Sequence, residues 1–426
     1  MSMEEWKEYK LGDYMDVKGG KRLPKGVNLT TTPNTHPYIR VRDLGTSKKI
    51  ELNTSFEYVD DETQKSIARY IVNEGDIIIS IVGTIGLIGI IGESLDNANL
   101  TENCVKLVNI KEFDRNFLYY YLISSLGENE IKKGIVGAVQ AKLPIKNIQN
   151  ITINAPSLST QQKIANILSS LDNKIEVNRR INDNLEQQAQ ALYKQWFVDF
   201  EFPNEEGKPY KSSGGQMKKT ELGEIPENWN IGNVRDLVDF QSGFAFKSEL
   251  FDEKGTFRLI TIKGVQDGFL DINGAAYINE LPKKMPSYCL LQEGDIIMSL
   301  TGNVGRCCIV DRENLLLNQR VVKLRPVKKD NNMFVYTMFR REEFKDRLTS
   351  LARGTAQANL SPIETANMRI VIPTNDLIGS YCLYGEPIFS NLLNNIKENN
   401  NLSSLRDILL PKLMSGELSV DDVLVD

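Results

Sequence analysis

The stretch NEGDIIISIVGTIG at Asn73–Gly86 returns as QEGDIIMSLTGNVG at Gln292–Gly305, 219 positions later and identical at eight of fourteen places. In each copy Glu-Gly-Asp reads as a turn, the apolar run after it as a buried strand, and the spaced glycines as a second turn. The echo extends both ways. Trp6, Leu11, Asp13, Asp16 and Gly20 return as Trp229, Val234, Asp236, Asp239 and Gly243, 223 positions on. Gln140, Leu143, Pro156 and Leu185 return as Gln357, Leu360, Pro373 and Leu402, 217 positions on. So small a drift leaves room for few insertions, so the chain is a tandem duplication of one folding unit. Such pairs tend towards pseudo-twofold packing and a bipartite ligand.

Around this strand each half reads as a mixed α/β or α+β globule of about 150 residues. Tyr38–Val41 and Leu259–Ile262 alternate like short strands, a further strand runs through Val105–Val108, and Phe117–Leu126 and Phe334–Leu348 carry helical patterns. The glycine series Gly83, Gly86, Gly89 and Gly92 invites comparison with a phosphate-binding loop, but no Lys-Ser/Thr follows it. A turn between hairpin strands is the expectation.

Thr160–Phe197 contains neither Pro nor Gly and spaces Ile164, Leu168, Leu171, Ile175, Leu185, Ala189, Leu192 and Trp196 mostly by three and four. That pattern predicts one long helix, roughly 57 Å at 1.5 Å per residue, with a narrow apolar seam. Asn178 and Asn182 interrupt the seam, as residues that set pairing register do. Ile388–Leu410 carries a similar but shorter seam, richer in Asn. The economical arrangement is an antiparallel coiled-coil spacer holding two globules apart. The expected domains are residues 1–156 and 229–375, a central helix over 157–197, a polar linker over 198–228, and a distal helix with its tail over 376–426.

The 426 residues carry a net charge of −5 and a single histidine, His36. Five cysteines form no CxxC pair, which leaves little scope for a Cys/His metal site or a histidine-based nucleophilic triad. No run approaches the roughly 18 apolar residues of a membrane span and no signal segment opens the chain, so a cytoplasmic location is expected. Carboxylate pairs such as Asp199 with Glu201, or Asp252 with Glu253, do not recur in the other half and read as solvated surface. A non-catalytic chain is expected. The loop GAVQAKL at Gly137–Leu143 does recur, as GTAQANL at Gly354–Leu360. Gln and Asn can pair with adenine and Lys with guanine, so the loop suits contact with base edges; a turn-capping role is the plainer alternative. Basic residues bunch elsewhere, in a manner suited to phosphate contact or simply to solvation.

The repeated EGD strands, the two loops, the segment PSLSTQQKIANILSSLDNKIEVNRRINDNLEQQAQALYKQWF and the closing LRDILLPKLMSGEL together resemble the specificity subunits of Type I restriction–modification systems, over essentially the full chain. The resemblance implies two target-recognition domains, each reading half of a split double-stranded DNA sequence. It also implies two modification subunits docked on the helices and restriction/translocation subunits beyond them. S-adenosylmethionine and ATP with magnesium would belong to those partners, with no cofactor in this chain. On that footing the expected DNA contacts are Lys21, Arg22, Arg40, Arg42, Gln140 and Lys142 in the first half and Lys247, Lys263, Arg353, Gln357 and Asn359 in the second. Ile181, Leu185, Leu192, Trp196, Leu402, Leu405 and Leu409 are the expected partner contacts. One departure is that Asp376–Pro387 lacks the QQKI-type start of the first helix. The alternative to DNA reading is a duplicated adaptor that binds proteins only.

Overall fold

The computed structural model describes residues 6–45, 47–137, 139–352 and 358–423. The chain forms two units, residues 1–175 with 401–426 and residues 176–400.

The repeated motif explains itself at the level of hydrogen bonds. In the first unit the Asp76 carboxylate accepts from the Asn73 N–H at 3.0 Å, and Gly75 takes φ +81° so that its N–H reaches the Ile91 carbonyl at 2.8 Å. In the second, Asp295 accepts from Gln292 at 2.8 Å and Gly294, at φ +84°, donates to Val310. A left-handed φ is where glycine is favoured, which is why Glu-Gly-Asp is kept in both copies. A lysine from the neighbouring strand faces each turn aspartate, Lys106 at 3.5 Å and Lys323 at 2.7 Å. At the far end of each strand a buried serine closes the glycine turn. Ser80 donates to the Thr84 carbonyl at 2.6 Å, and Ser299 to that of Asn303 at 2.5 Å. Gly83 and Gly86 therefore form the turn of a hairpin, Ile77–Ser80 paired antiparallel with Ile88–Ile91, as the sequence suggests, while Gly89 lies within the second strand and Gly92 just after it.

Each hairpin sits inside a larger sheet. The first unit orders its strands Asp16–Gly19, Cys104–Val108, Ile77–Ser80, Ile88–Ile91, Lys49–Ile50, antiparallel except for the last pair. The second repeats the order as Val238–Ser242, Val321–Pro326, Ile296–Ser299, Cys307–Ile309. Both add a second sheet, three-stranded around Pro37–Ile39 in the first unit and four-stranded around Phe257–Ile260 in the second. The helical pattern of Phe117–Leu126 resolves into two helices, Arg115–Ile123 and Ser125–Gly134, because Ser124 ends one and caps the next through the Gly127 N–H. Phe334–Leu348 divides in the same way, into Asn332–Arg340 and Glu342–Leu351.

The central helix spans Leu158–Phe197 and the distal helix Asn375–Ser415. The distal helix is far longer than its seam suggests and runs through Pro387. A proline inside a helix costs about 3 kcal/mol, a penalty offset here by burial of Tyr381, Cys382, Phe389 and Leu392 on either side. Within the first unit Ile164 and Leu168 of the central helix share a core with Leu413 and Met414 of the distal one. Within the second unit Asn178 donates to Glu398 at 2.7 Å and to Asn399 at 3.0 Å, while Asn395 donates to Asn182 at 2.8 Å. Rising numbers on one helix meet falling numbers on the other, so the pair is antiparallel. Asn178 is wholly buried. Asn178→Asp would replace its donor amide by a second carboxylate beside Glu398. We expect a loss of about 3–5 kcal/mol near neutral pH. A carboxyl introduced there has its pKa raised, so the loss should shrink as pH falls and the group takes up a proton. Urea unfolding at pH 8 and pH 5 measures both; an equal loss at the two values would show that charge is not the cause.

The expected polar linker is not one. Val198–Asn228 folds onto the second unit: Met217–Thr220 pairs with Gly223–Pro226, and Phe202, Ile225 and Trp229 join its core. Phe202 stacks on Trp229 at 5.4 Å and on Tyr210 at 4.6 Å. The hydrophilic average of this segment hides four apolar anchors, Phe200, Phe202, Tyr210 and Ile225.

Candidate nucleic-acid interface

The loop repeated as GAVQAKL is a small closed structure. Val136 and Lys142 exchange backbone hydrogen bonds at 2.9 Å each, and the Leu143 N–H donates to Ile81 at 3.0 Å. Leu143 is buried and serves as the anchor. Gly137 has φ +95°, and a Cβ there would lie 2.6 Å from the Gln140 carbonyl oxygen, so the loop closes only around glycine. Gln140 and Lys142 are exposed. A backbone bridge from Lys142 to Val82 sets this loop beside the Gly83–Gly86 turn, so two loops lie together at one end of the sheet.

The second unit repeats the anchor with different residues. Leu360, buried, donates its N–H to Leu300 at 2.7 Å, and Gly302 donates to Ala358 at 3.1 Å. Asn359 is exposed, but its carboxamide oxygen accepts from the Thr301 hydroxyl at 2.8 Å. Its oxygen therefore does turn-holding work, leaving the amide N–H groups as the donors it can offer a base. Arg353 and Gln357 lie outside the described residues.

The basic residues are less available than their bunching suggests. Arg22 is paired with Glu102 at 2.7 Å, and that hydrogen bond holds its proton more tightly than usual. Arg40 and Arg42 share the Glu57 carboxylate, Arg42 at 3.0 Å. Lys21 lies over the Tyr70 ring at 5.5 Å. Exposed ion pairs are weak because water screens them, so a phosphate can replace the carboxylate of Arg22 or Arg42 at little cost. Arg40 is the more enclosed of the three. Lys247 and Lys263 are exposed.

Most residues expected to meet a partner are already occupied. Leu185 and Leu192 pack on the second core, and Trp196, 4% exposed, lies against Tyr381 at 5.8 Å and Tyr384 at 5.7 Å. Leu409 packs on the first core and Leu402 is half-buried. Only Ile181 and Leu405 of that set are exposed, because a seam residue in a helix pair is spent on the other helix. Val177, Leu383 and Tyr384, which the sequence reading did not single out, are also exposed apolar side chains of these helices, the last two 78% and 67% exposed. Leu383 and Tyr384 precede Pro387, in a stretch whose helical continuation the pattern did not reveal. Among the described residues no helix is long and apolar enough to cross a membrane, and no group of three or more His, Cys, Asp or Glu side chains is placed to hold a metal ion.

The family model described as Type I restriction modification DNA specificity domain matches residues 3–187 and again 226–407. The chain is 26% identical over 433 residues to the MjaIX specificity subunit of Methanocaldococcus jannaschii, covering 99% of this chain and 95% of that protein. It is 25% identical over 476 residues to the HindI specificity subunit of Haemophilus influenzae, covering 98% and 100%. A crystal structure of a Type I restriction–modification S subunit from M. genitalium superposes with a TM-score of 0.51 at 17% identity, covering 97% of each chain, which establishes likeness of fold.

Proposed function

The chain belongs to the Type I restriction–modification DNA specificity family, and on that premise we propose that each unit reads one half of a split, asymmetric double-stranded DNA target. One observation carries this reading: each unit anchors the end of its repeated loop in the same way, Leu143 on Ile81 and Leu360 on Leu300, but with Gln140 and Lys142 exposed before the anchor in one copy and Asn359 in the other. Like scaffolds with unlike tips make two readers of different sequences. Phosphate contact by Lys21, Arg22, Arg42, Lys247 and Lys263 would set the register of each unit on the duplex, while the loops discriminate bases.

The chain itself is proposed to be non-catalytic and cytoplasmic. Two modification subunits would dock on the paired helices, with the exposed Ile181 and Leu405 among their contacts, and supply methyl transfer from S-adenosylmethionine. Restriction subunits would supply ATP- and magnesium-dependent translocation and cleavage. Residues 1–150 hold 19 Lys and Arg against 20 Asp and Glu, and residues 220–375 hold 20 against 20. Few phosphates can be neutralised by so balanced a surface, so tight binding would depend on the partners.

Reconstitution with modification subunits and sequencing of modified bases tests the reading. Gln140→Ala or Lys142→Ala should relax only one half-sequence, and Asn359→Ala only the other, each by about 1–3 kcal/mol at its own base pair. Relaxation of both halves by one substitution, or of neither, would remove the loops from base reading. A complex that assembles yet shows no sequence preference would favour the protein-only adaptor.

A further inference from the structure

Each unit contains a polar cluster that no loop function requires, and both are centred on a carboxylate of the central helix. In the first unit the Tyr120 hydroxyl, on a wholly buried side chain, donates to Asp172 at 2.5 Å. The other carboxylate oxygen accepts from Arg406 of the distal helix at 2.8 Å. Lys48, from the chain leading into the edge strand Lys49–Ile50, reaches Ser169 one turn away at 2.7 Å and lies over the Tyr120 ring at 4.7 Å. The globule, the central helix and the distal helix thus meet at one carboxylate. In the second unit Tyr336 donates to Glu186, which also holds Arg340, with the Arg340 Nε at 3.2 Å. Arg340 is bound in turn to Asp267, which accepts from Lys345 at 2.6 Å.

These are not repeated residues. The repeat aligns Phe117 with Phe334, hence Tyr119 with Tyr336, so Tyr120 has Thr337 as its counterpart. The two copies reach the same solution from neighbouring positions of the helix, a phenol donating to a central-helix carboxylate that a guanidinium neutralises. Apolar packing alone tolerates sliding and small rotations. A largely enclosed carboxylate held by directional bonds, from two helices at Asp172 and from the single helix Asn332–Arg340 at Glu186, does not, because each bond constrains distance and angle and a misplaced partner is left unpaired.

We propose that Tyr120–Asp172–Arg406 and Tyr336–Glu186–Arg340 are joints that fix the orientation of each recognition globule on its stretch of the central helix, and that they thereby hold the unread gap of the target to one length. This rests on the bipartite reading proposed above. They are positioning residues: they touch no base, yet they set the angle at which each reader is held on its own stretch of helix.

The test uses the full chain assembled with modification subunits and a DNA library carrying the native half-sequences at the native gap and at shorter and longer gaps. Asp172→Asn in the first unit, or Glu186→Gln in the second, should raise modification at off-length gaps relative to the native gap on the order of tenfold, with both half-sequences still required. Tyr120→Phe, which keeps the ring and its packing, should act in the same direction. Leu168→Ala, a core truncation in the same helix outside the cluster, lowers stability and should leave gap discrimination intact. Wild-type gap discrimination in a folded Tyr120→Phe complex overturns the proposal, whether or not Asp172→Asn assembles. Relaxed half-sequences at the native gap also overturn it, since the cluster would then serve base reading. Failure of the underlying reading is seen separately: the wild-type complex would itself show no bipartite requirement, and both ideas would fall.

Discussion

Inserting one helical turn into each long helix, after Arg180 in the central one and after Ile396 in the distal one, should lengthen the unread gap of the target and leave both half-sequences unchanged. Four residues add about 6 Å along a helix, and one base pair occupies about 3.4 Å of DNA, so the gap should grow by one or two base pairs. The insertion must be made in both helices. Asn178 pairs with Glu398 and Asn399, and Asn182 with Asn395 and the Leu392 carbonyl at 3.3 Å, so extra residues in one helix alone would pull these layers out of register. Four residues overshoot a whole turn by about 40°, a rotation that repacking of a narrow seam can absorb. Modified-base sequencing with the insertion variant decides the matter. An unchanged gap in an assembled, active complex would show that the helices are not the ruler. A single-helix insertion, tested beside it, should cost stability as well as activity.

Trp229→Ala should lower the stability of the second unit by about 3–5 kcal/mol. Trp229 is 2% exposed and surrounded by rings: Phe202 stacked at 5.4 Å, Phe200 edge-on at 5.4 Å and Phe197 at 5.9 Å. Removing the indole leaves a cavity that rigid aromatic neighbours cannot fill. Its repeat partner Trp6 is only partly buried, packed at 6.5 Å from Phe117, so Trp6→Ala should cost the first unit clearly less. Urea unfolding of the two variants measures the difference. Equal losses would mean that the folded segment over 198–228 contributes nothing to the burial of Trp229.

That contrast also marks where sequence reading stopped. The Glu-Gly-Asp turns, the hairpin after them and the limits of the central helix were legible because each is decided by neighbours in the chain: a carboxylate three residues from its donor, a glycine at positive φ, an apolar residue every three or four. The folding of 198–228 was not, since its four apolar anchors are scattered among charged and small residues and acquire meaning only against Trp229. For the distal helix the sequence offered an apolar seam only from Ile388 and no QQKI-type start, and just before that seam the chain carries Pro387. Its local cost is readable, whereas the burial of Tyr381, Phe389 and Leu392 that offsets it is tertiary.

For the site the division is similar. By itself the sequence determined that there are two readers of one design, which loop differs between them and which family they resemble, because duplication and motif are properties of order along the chain. Only the tertiary structure decided that Asn359 is partly spent on Thr301, that Arg40 and Arg42 share Glu57, and that Trp196 faces inward rather than towards a partner. It alone brought Tyr120 to Asp172 and Tyr336 to Glu186. A hydrogen bond between side chains 52 or 150 positions apart leaves no periodicity behind, and a charged residue looks the same in sequence whether its charge is offered to solvent or already neutralised.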